Sequence, residues 1–287
     1  MIRPQLLDGA MGTELNRRGV ELPLPIWSAD ANLDHKEIVL NIHRDYADAG
    51  ADIGRTNTFR TTTYTYRKAG FSNIRAKERA RDSLSSAVEI ALNAVGEIGK
   101  VAGSITSVED CYSPELYPGK GAAEDTYGEL VEWFKEGGVD LLLFETMGNM
   151  EEIEIGLSVA ASKKMETWVS LILKDGDHLL DGTQLKVCLE MIGGSNATCL
   201  LLNCNKIDTT ELAIDTITQH WNSDWGLYPN LGVTDFDNDY FDMINESKFI
   251  DHFKGFLELN PSVIGACCGS TPEHIKKLNE MIDQKCN

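Results

Sequence analysis

Two cysteines stand side by side in Val263-Ile264-Gly265-Ala266-Cys267-Cys268-Gly269-Ser270-Thr271-Pro272, where an apolar run gives way to the start of a helix. Adjacent thiols are poorly placed to bond to each other, but together they can hold one soft metal ion. A third thiol, Cys204, closes the apolar run Cys199-Leu200-Leu201-Leu202-Asn203-Cys204. Three thiolates that end strands, with a fourth position left open for a reactant, describe a catalytic zinc; a structural zinc takes all four ligands from protein. The other cysteines, Cys111, Cys188, Cys199 and Cys286, fall in a loop, a helix, the start of a strand and the C-terminus, and read as structural or incidental.

Residues that act together from strand ends need an architecture that brings those ends to one place. Apolar runs suited to strands occur at Gln5 to Asp8, Asp52 to Asn57, Lys100 to Ile105, Val139 to Glu145, Thr167 to Leu173, Thr198 to Cys204, Trp225 to Asn230 and Ser262 to Cys268. Helical patterns lie between them at Lys36 to Gly50, Ile74 to Val95, Asp125 to Gly137, Met150 to Lys164, Gln184 to Ile192, Thr209 to Trp221 and Ser247 to Leu257, and a last one runs from Thr271 to Cys286. This alternation predicts an α/β fold of the (β/α)8 TIM-barrel type, with its chemistry at the carboxyl ends of the strands. A doubly wound open sheet competes, but Asp8-Gly9-Ala10-Met11-Gly12 lacks the spacing of a glycine-rich phosphate loop. In the barrel reading the strand ends carry Asp8-Gly9, Thr56-Asn57-Thr58, Glu145-Thr146, Asn203-Cys204, Asn230 and Cys267-Cys268. Turn formers and caps account for Asn203 and Asn230 as readily as function does. They do not account for two carboxylates and three thiols on one rim.

The chain has 287 residues, 42% of them hydrophobic, and no linker-like interruption, so residues 1–287 are expected to form a single domain. A formal charge of -19 repels phosphate backbones and anionic lipid, which argues against nucleic-acid and membrane partners. No leader peptide is recognisable and no apolar run approaches the roughly 20 residues that span a bilayer. With an odd cysteine count of seven, the expected setting is a reducing cytoplasm, where clustered cysteines bind metal more often than they form disulfides.

The segments Leu6-Leu7-Asp8-Gly9-Ala10-Met11-Gly12-Thr13-Glu14-Leu15, Thr56-Asn57-Thr58-Phe59, Asn203-Cys204 and Cys267-Cys268-Gly269-Ser270-Thr271-Pro272-Glu273-His274 resemble the homocysteine S-methyltransferase family. Their order and spacing cover nearly the whole chain. The resemblance implies a β/α barrel with zinc on Cys204, Cys267 and Cys268. It further implies transfer of a methyl group to the thiol of homocysteine, giving methionine. One departure is Gly265-Ala266, where the family usually has two glycines before the cysteine pair.

Such a reaction needs the acceptor as a thiolate, yet an unperturbed thiol has a pKa of roughly 8.5, so zinc is the expected means of removing the proton. Asp8 and Glu145 match acidic positions that bind the amino acid in relatives, and are the expected acceptors for homocysteine's ammonium. Backbone amides around Gly9 and the last strand's turn, with the Thr56 hydroxyl, are expected to hold its carboxylate. Trp27 resembles a family element that presents its ring to a methylated cation. Arg60 stands where betaine-using relatives carry a tyrosine; it disfavours a quaternary ammonium and suits a donor's carboxylate.

Other features read as ordinary structure. Trp133, Trp168, Trp221 and Trp225 are expected to pack helices onto the barrel, Glu14 to lie on a helix surface, and His274 to be a helix residue. Thr61 to Tyr66 reads as a loop wall, and Asp235 to Tyr240 as an acidic loop over the site or in solvent. A self-contained reaction with a small sulfonium donor is favoured, because no corrinoid or folate segment is recognisable. The alternatives are a homocysteine-activating subunit that receives its methyl from a corrinoid protein partner, and a noncatalytic zinc- or thiol-binding barrel.

Overall fold

The computed structural model describes residues 2–95, 99–235 and 240–286. Its strands are β1 (Gln5–Leu6), β2 (Ile53–Arg55), β3 (Lys100–Ile105), β4 (Leu141–Met147), β5 (Thr167–Leu171), β6 (Ala197–Asn203), β7 (Asp224–Tyr228), β8 (Gly232–Asp235), β9 (Tyr240–Met243) and β10 (Val263–Ile264). Its helices are α1 (Met11–Arg17), α2 (Ala31–Asp34), α3 (Lys36–Asp48), α4 (Thr63–Lys68), α5 (Asn73–Val95), α6 (Lys120–Gly137), α7 (Met150–Lys163), α8 (Leu185–Gly193), α9 (Ile207–His220), α10 (Glu246–Glu258) and α11 (Pro272–Cys286).

Eight strands pair in parallel in the order β1-β10-β7-β6-β5-β4-β3-β2. The two ends of that order meet where Leu7 bridges Ile53, with the Asp8 amide donating to the Ile53 carbonyl at 2.9 Å. The sheet closes into a TIM barrel, as the alternation of runs predicts. No helix among the described residues is long and apolar enough to cross a membrane.

Strand side chains alternate between faces, and here both faces are buried. On β4, Leu142 and Phe144 point outward, and the Phe144 ring meets Tyr127 of α6 edge-on at 5.5 Å. Leu141 and Leu143 point into the barrel, where Leu7, Ile53, Ala102, Trp168, Leu201 and Val263 pack around them. Leu143→Ala would cost about 2–5 kcal/mol through lost burial and the cavity left behind. One alternation step further up, the inward positions become polar: Arg55 above Ile53, Glu145 above Leu143, Asn203 above Leu201. The periodicity that builds the apolar core thus also delivers the polar groups above it.

The structure corrects three local expectations. Trp168 packs inside the barrel, because its position on β5 faces the axis. Glu14 of α1 is buried rather than surface-lying, and pairs with Arg17 and Arg18. The run expected as a loop wall enters α4, because the Thr62 hydroxyl caps it by accepting from the Thr65 amide at 2.9 Å. An antiparallel hairpin, β8 with β9, leaves the barrel after β7. The acidic run Asp235 to Tyr240 falls on this hairpin, and its residues 236–239 lie outside the described residues.

Candidate active site

Cys204 follows the last residue of β6, while Cys267 and Cys268 follow β10 in the turn that leads to α11. Their sulfurs all lie within 4.8 Å of one another, and Cys204 Sγ is 2.7 Å from Cys267 Sγ. Asn230 spaces the two loops: its Nδ2 donates to the Cys204 carbonyl at 2.8 Å, and its Oδ1 accepts from the Cys268 amide at 3.2 Å. Hydrogen bonds from Cys204 and Cys268 hold the Cys267 thiol well below its usual range, while the bond to Cys267 keeps the proton on Cys204. Zinc–sulfur bonds of about 2.3 Å put the sulfurs around one ion roughly 3.8 Å apart. Three sulfurs inside a 4.8 Å limit, one buried and two half-buried, are therefore a donor set that fits a soft dication.

The backbone is strained at one of these thiols, Cys204, and at two neighbours of the same cavity. Thr146, Cys204 and Trp27 adopt left-handed conformations with φ of 59, 54 and 57 degrees, and all three line one cavity. For β-branched Thr146 this conformation is costly, and such strain collects at functional sites. Asn203 holds Thr146 there: its Oδ1 accepts from the Thr146 amide at 2.8 Å and its Nδ2 donates to Thr146 Oγ1 at 2.9 Å.

Arg55 of β2 organises the floor of the cavity, a role not read from the sequence. Its Nε donates to Asp8 Oδ1 at 2.6 Å, its Nη1 to Glu145 Oε2 at 3.1 Å, and its Nη2 to the carbonyls of Asp8 and Gly9 at 3.1 and 2.9 Å. The guanidinium lies 4.9 Å from the Tyr228 ring centre, and Tyr228 and Ser104 donate to Glu145. Burial pushes the Asp8 and Glu145 carboxyls up, and the Arg55 charge pulls both only part of the way back, so both stay above their ordinary range. Burial disfavours the charged form of Arg55 as well, but the two carboxylates more than restore it. With Arg55 charged and both carboxylates ionised, the group carries one net negative charge. The detectable signal was an arginine two residues after Ile53, on the same face of the strand.

The cavity has a volume of about 320 Å³ and brings together Asp8, Gly9, Trp27, Thr56, Glu145, Cys204, Cys267 and Cys268. Gly9 is required by close approach, since a Cβ there would stand 2.4 Å from the Tyr46 ring. Trp27 packs over Gly12, where a Cβ would lie 3.2 Å from its Nε1. The Thr56 hydroxyl accepts from the Ser104 amide at 3.0 Å and lies 2.7 Å from the Thr58 hydroxyl, which itself donates to the Ser104 carbonyl at 2.7 Å. Thr56 lines the cavity wall as part of this hydroxyl network. Arg60, Cys111 and Tyr112 also line the cavity. His274 stands in α11, bonded through Nδ1 to the Thr271 side chain at 2.9 Å and away from the thiols.

A parallel β/α barrel with three converging thiols at the carboxyl end of its strands defines a metal-competent barrel enzyme. The family model described as homocysteine S-methyltransferase matches residues 5–282. A homocysteine S-methyltransferase of Escherichia coli K12 is 26% identical over 300 residues, covering 95% of this chain and 93% of the relative. A selenocysteine Se-methyltransferase of Brassica oleracea is 22% identical over 308 residues, covering 96% and 88%. Among solved structures, the metallated form of the homocysteine methyltransferase MmuM from Escherichia coli superposes with a TM-score of 0.83 at 26% identity, covering 98% of this chain and 96% of that one. The chain belongs to the homocysteine S-methyltransferase family, and it is a methyltransferase.

Proposed function

We propose that this enzyme transfers a methyl group from a small sulfonium donor, S-methylmethionine or a close analogue, to the thiol of L-homocysteine, giving methionine. The observation that carries the reading is the placement of three thiols within 4.8 Å of one another, in the same cavity as Asp8 and Glu145.

Cys204, Cys267 and Cys268 hold zinc in this reading, and the ion when bound supplies the Lewis acidity that favours a deprotonated sulfur at neutral pH. Asn230 ties down the backbone of Cys204 and Cys268, and Asn203 Nδ2 lies 3.4 Å from Cys204 Sγ. Asp8 and Glu145 receive the acceptor's ammonium. Arg55 satisfies part of their charge and leaves one negative charge unmatched, which suits one ammonium. The Gly9 amide, which donates to no described residue, is the group left to meet the carboxylate.

The acceptor's sulfur then attacks the methyl carbon of the donor in line. A sulfur–carbon bond forms, the carbon–sulfonium bond breaks, and the departing electron pair stays on the donor sulfur as a thioether. With S-methylmethionine, one methionine arises from each partner. Holding both reactants in one cavity replaces a bimolecular encounter by an oriented one, and Trp27 presents a ring to the cation.

The test is a donor panel assayed for methionine with purified, zinc-loaded protein and homocysteine. Turnover with S-methylmethionine alone is the expected result. Turnover only after addition of a methylated corrinoid protein would replace the sulfonium donor by a protein-borne one. Zinc without turnover under any condition would leave a noncatalytic barrel.

A further inference from the structure

Arg60 and Asp110 face the cavity from the loops that follow β2 and β3. Arg60 Nη2 lies 3.7 Å from Asp110 Oδ1, beyond hydrogen-bond length, and the Arg60 side chain is only 16% exposed. It makes no hydrogen bond to a described residue, in contrast to Arg55 below it, which donates to four acceptors in addition to its amide. A guanidinium offers five donors, and shielding them from water without partners is costly. This one is therefore poised for an anion. Asp110 is 39% exposed, and its Oδ1 accepts from the Tyr112 amide at 3.0 Å. Its Oδ2 is left for a cation.

A loose pair of opposite charges on a cavity wall is complementary to a zwitterion: carboxylate towards arginine, ammonium towards aspartate. The floor groups Asp8, Glu145 and Gly9 already match the amino-acid end of the acceptor. The second zwitterion then belongs to the methyl donor. The cavity of about 320 Å³ lies at the lower end of the range for one drug-sized ligand, so two reactants fit only if each is small. Phe59 and Tyr112 line the same space and offer aromatic surface to a cation between the two ends.

We propose that Arg60 and Asp110 bind the α-carboxylate and α-ammonium of an amino-acid sulfonium donor, and so select it against simple sulfonium ions. This rests on the sulfonium reading of the reaction and assigns the donor's non-reacting end to these two side chains.

The discriminating comparison is S-methylmethionine against trimethylsulfonium, which keeps a transferable methyl and lacks the zwitterion. The parent is expected to favour S-methylmethionine by about a hundredfold in kcat/KM, the product of two charge-assisted contacts of roughly tenfold each. Arg60→Gln is expected to raise the KM for S-methylmethionine by about tenfold, with the homocysteine KM and the trimethylsulfonium rate unchanged. Arg60→Lys should restore part of the loss. Calorimetry of S-methylmethionine binding, without acceptor, separates this assignment from the reaction itself. Binding that weakens in Arg60→Gln, with no methionine formed by the parent, would sustain the subsite and overturn the reaction. Methionine formation with an unaltered donor preference in both Arg60→Gln and Asp110→Asn would sustain the reaction and overturn the subsite. A raised homocysteine KM with an unchanged donor KM would place Arg60 on the acceptor, and the inference would fail.

Discussion

Asn203 and Thr146 clasp each other through two hydrogen bonds, and in doing so the last side chain of β6 holds a β-branched residue at a φ of 59 degrees. Asn203 Nδ2 also lies 3.4 Å from Cys204 Sγ, and Ser170 donates to Asn203 Oδ1 at 2.7 Å. The strained turn and the first thiol are thereby fixed by one side chain. Asn203→Ala removes these bonds, leaving the Thr146 amide buried without a partner and the Thr146 hydroxyl with only its 3.9 Å contact to Cys204 Sγ. The expected cost is about 1–3 kcal/mol of stability, with a metal affinity lower by roughly 10- to 100-fold, as for other groups that orient ligands. Denaturation and competitive chelator titration measure the two effects. Parent-like metal affinity would show that Cys204 is placed without Asn203.

Asp8→Asn and Glu145→Gln should each raise the homocysteine KM by about tenfold or more, because a charge-assisted contact contributes roughly 1.5 to 3 kcal/mol. Zinc content should stay at the parent level. A thiol lacking the amino group should lose little further affinity in these variants. Arg55→Met acts differently: it strands two buried carboxylates, and the expected loss of stability is about 3–5 kcal/mol. If both carboxylate variants bind homocysteine like the parent, the ammonium is held elsewhere.

His43 of α3 sets a pH dependence of stability. Neither ring nitrogen has a hydrogen-bond partner; burial, and after it the Arg55 charge, lowers the pKa from 6.5 to about 4. Asp8 Oδ2 at 4.0 Å does not reverse this, because both Asp8 oxygens already accept from Arg55. A lowered histidine pKa means that the unfolded chain takes up the proton first as pH falls. The contribution is complete above pH 6.5 and is lost on descent through about pH 4, a difference of about 3 kcal/mol. Urea unfolding across this window should fall more steeply for the parent than for His43→Leu. Equal slopes would mean that the ring is not held neutral.

The barrel and the residues lining its cavity were legible because strand and helix periods alternate cleanly, and because cysteine pairs and carboxylates are rare at strand ends. The hidden part was which way each strand residue points. Both faces of these strands are buried, so apolar patterning does not separate the axis from the helices, and Trp168 was placed on the wrong side. Arg55 was missed for the same reason: its partners Asp8 and Glu145 lie 47 and 90 residues away, and only barrel closure brings them together. Asn203 and Asn230 read equally well as turn formers. Only the distances show that they tie the cysteine-bearing loops in place.

The central claim, that the three converging thiols hold the metal on which methyl transfer depends, is tested most directly by zinc content and methionine formation in Cys204→Ala beside Cys188→Ala. Cys188 is buried in α8 outside the cavity, and its pKa is pushed up to about 12 by burial, so it serves as the control thiol. The expected result is about one zinc per chain and full turnover in the parent and in Cys188→Ala, with both lost in Cys204→Ala. Full zinc and full rate in Cys204→Ala would contradict the account.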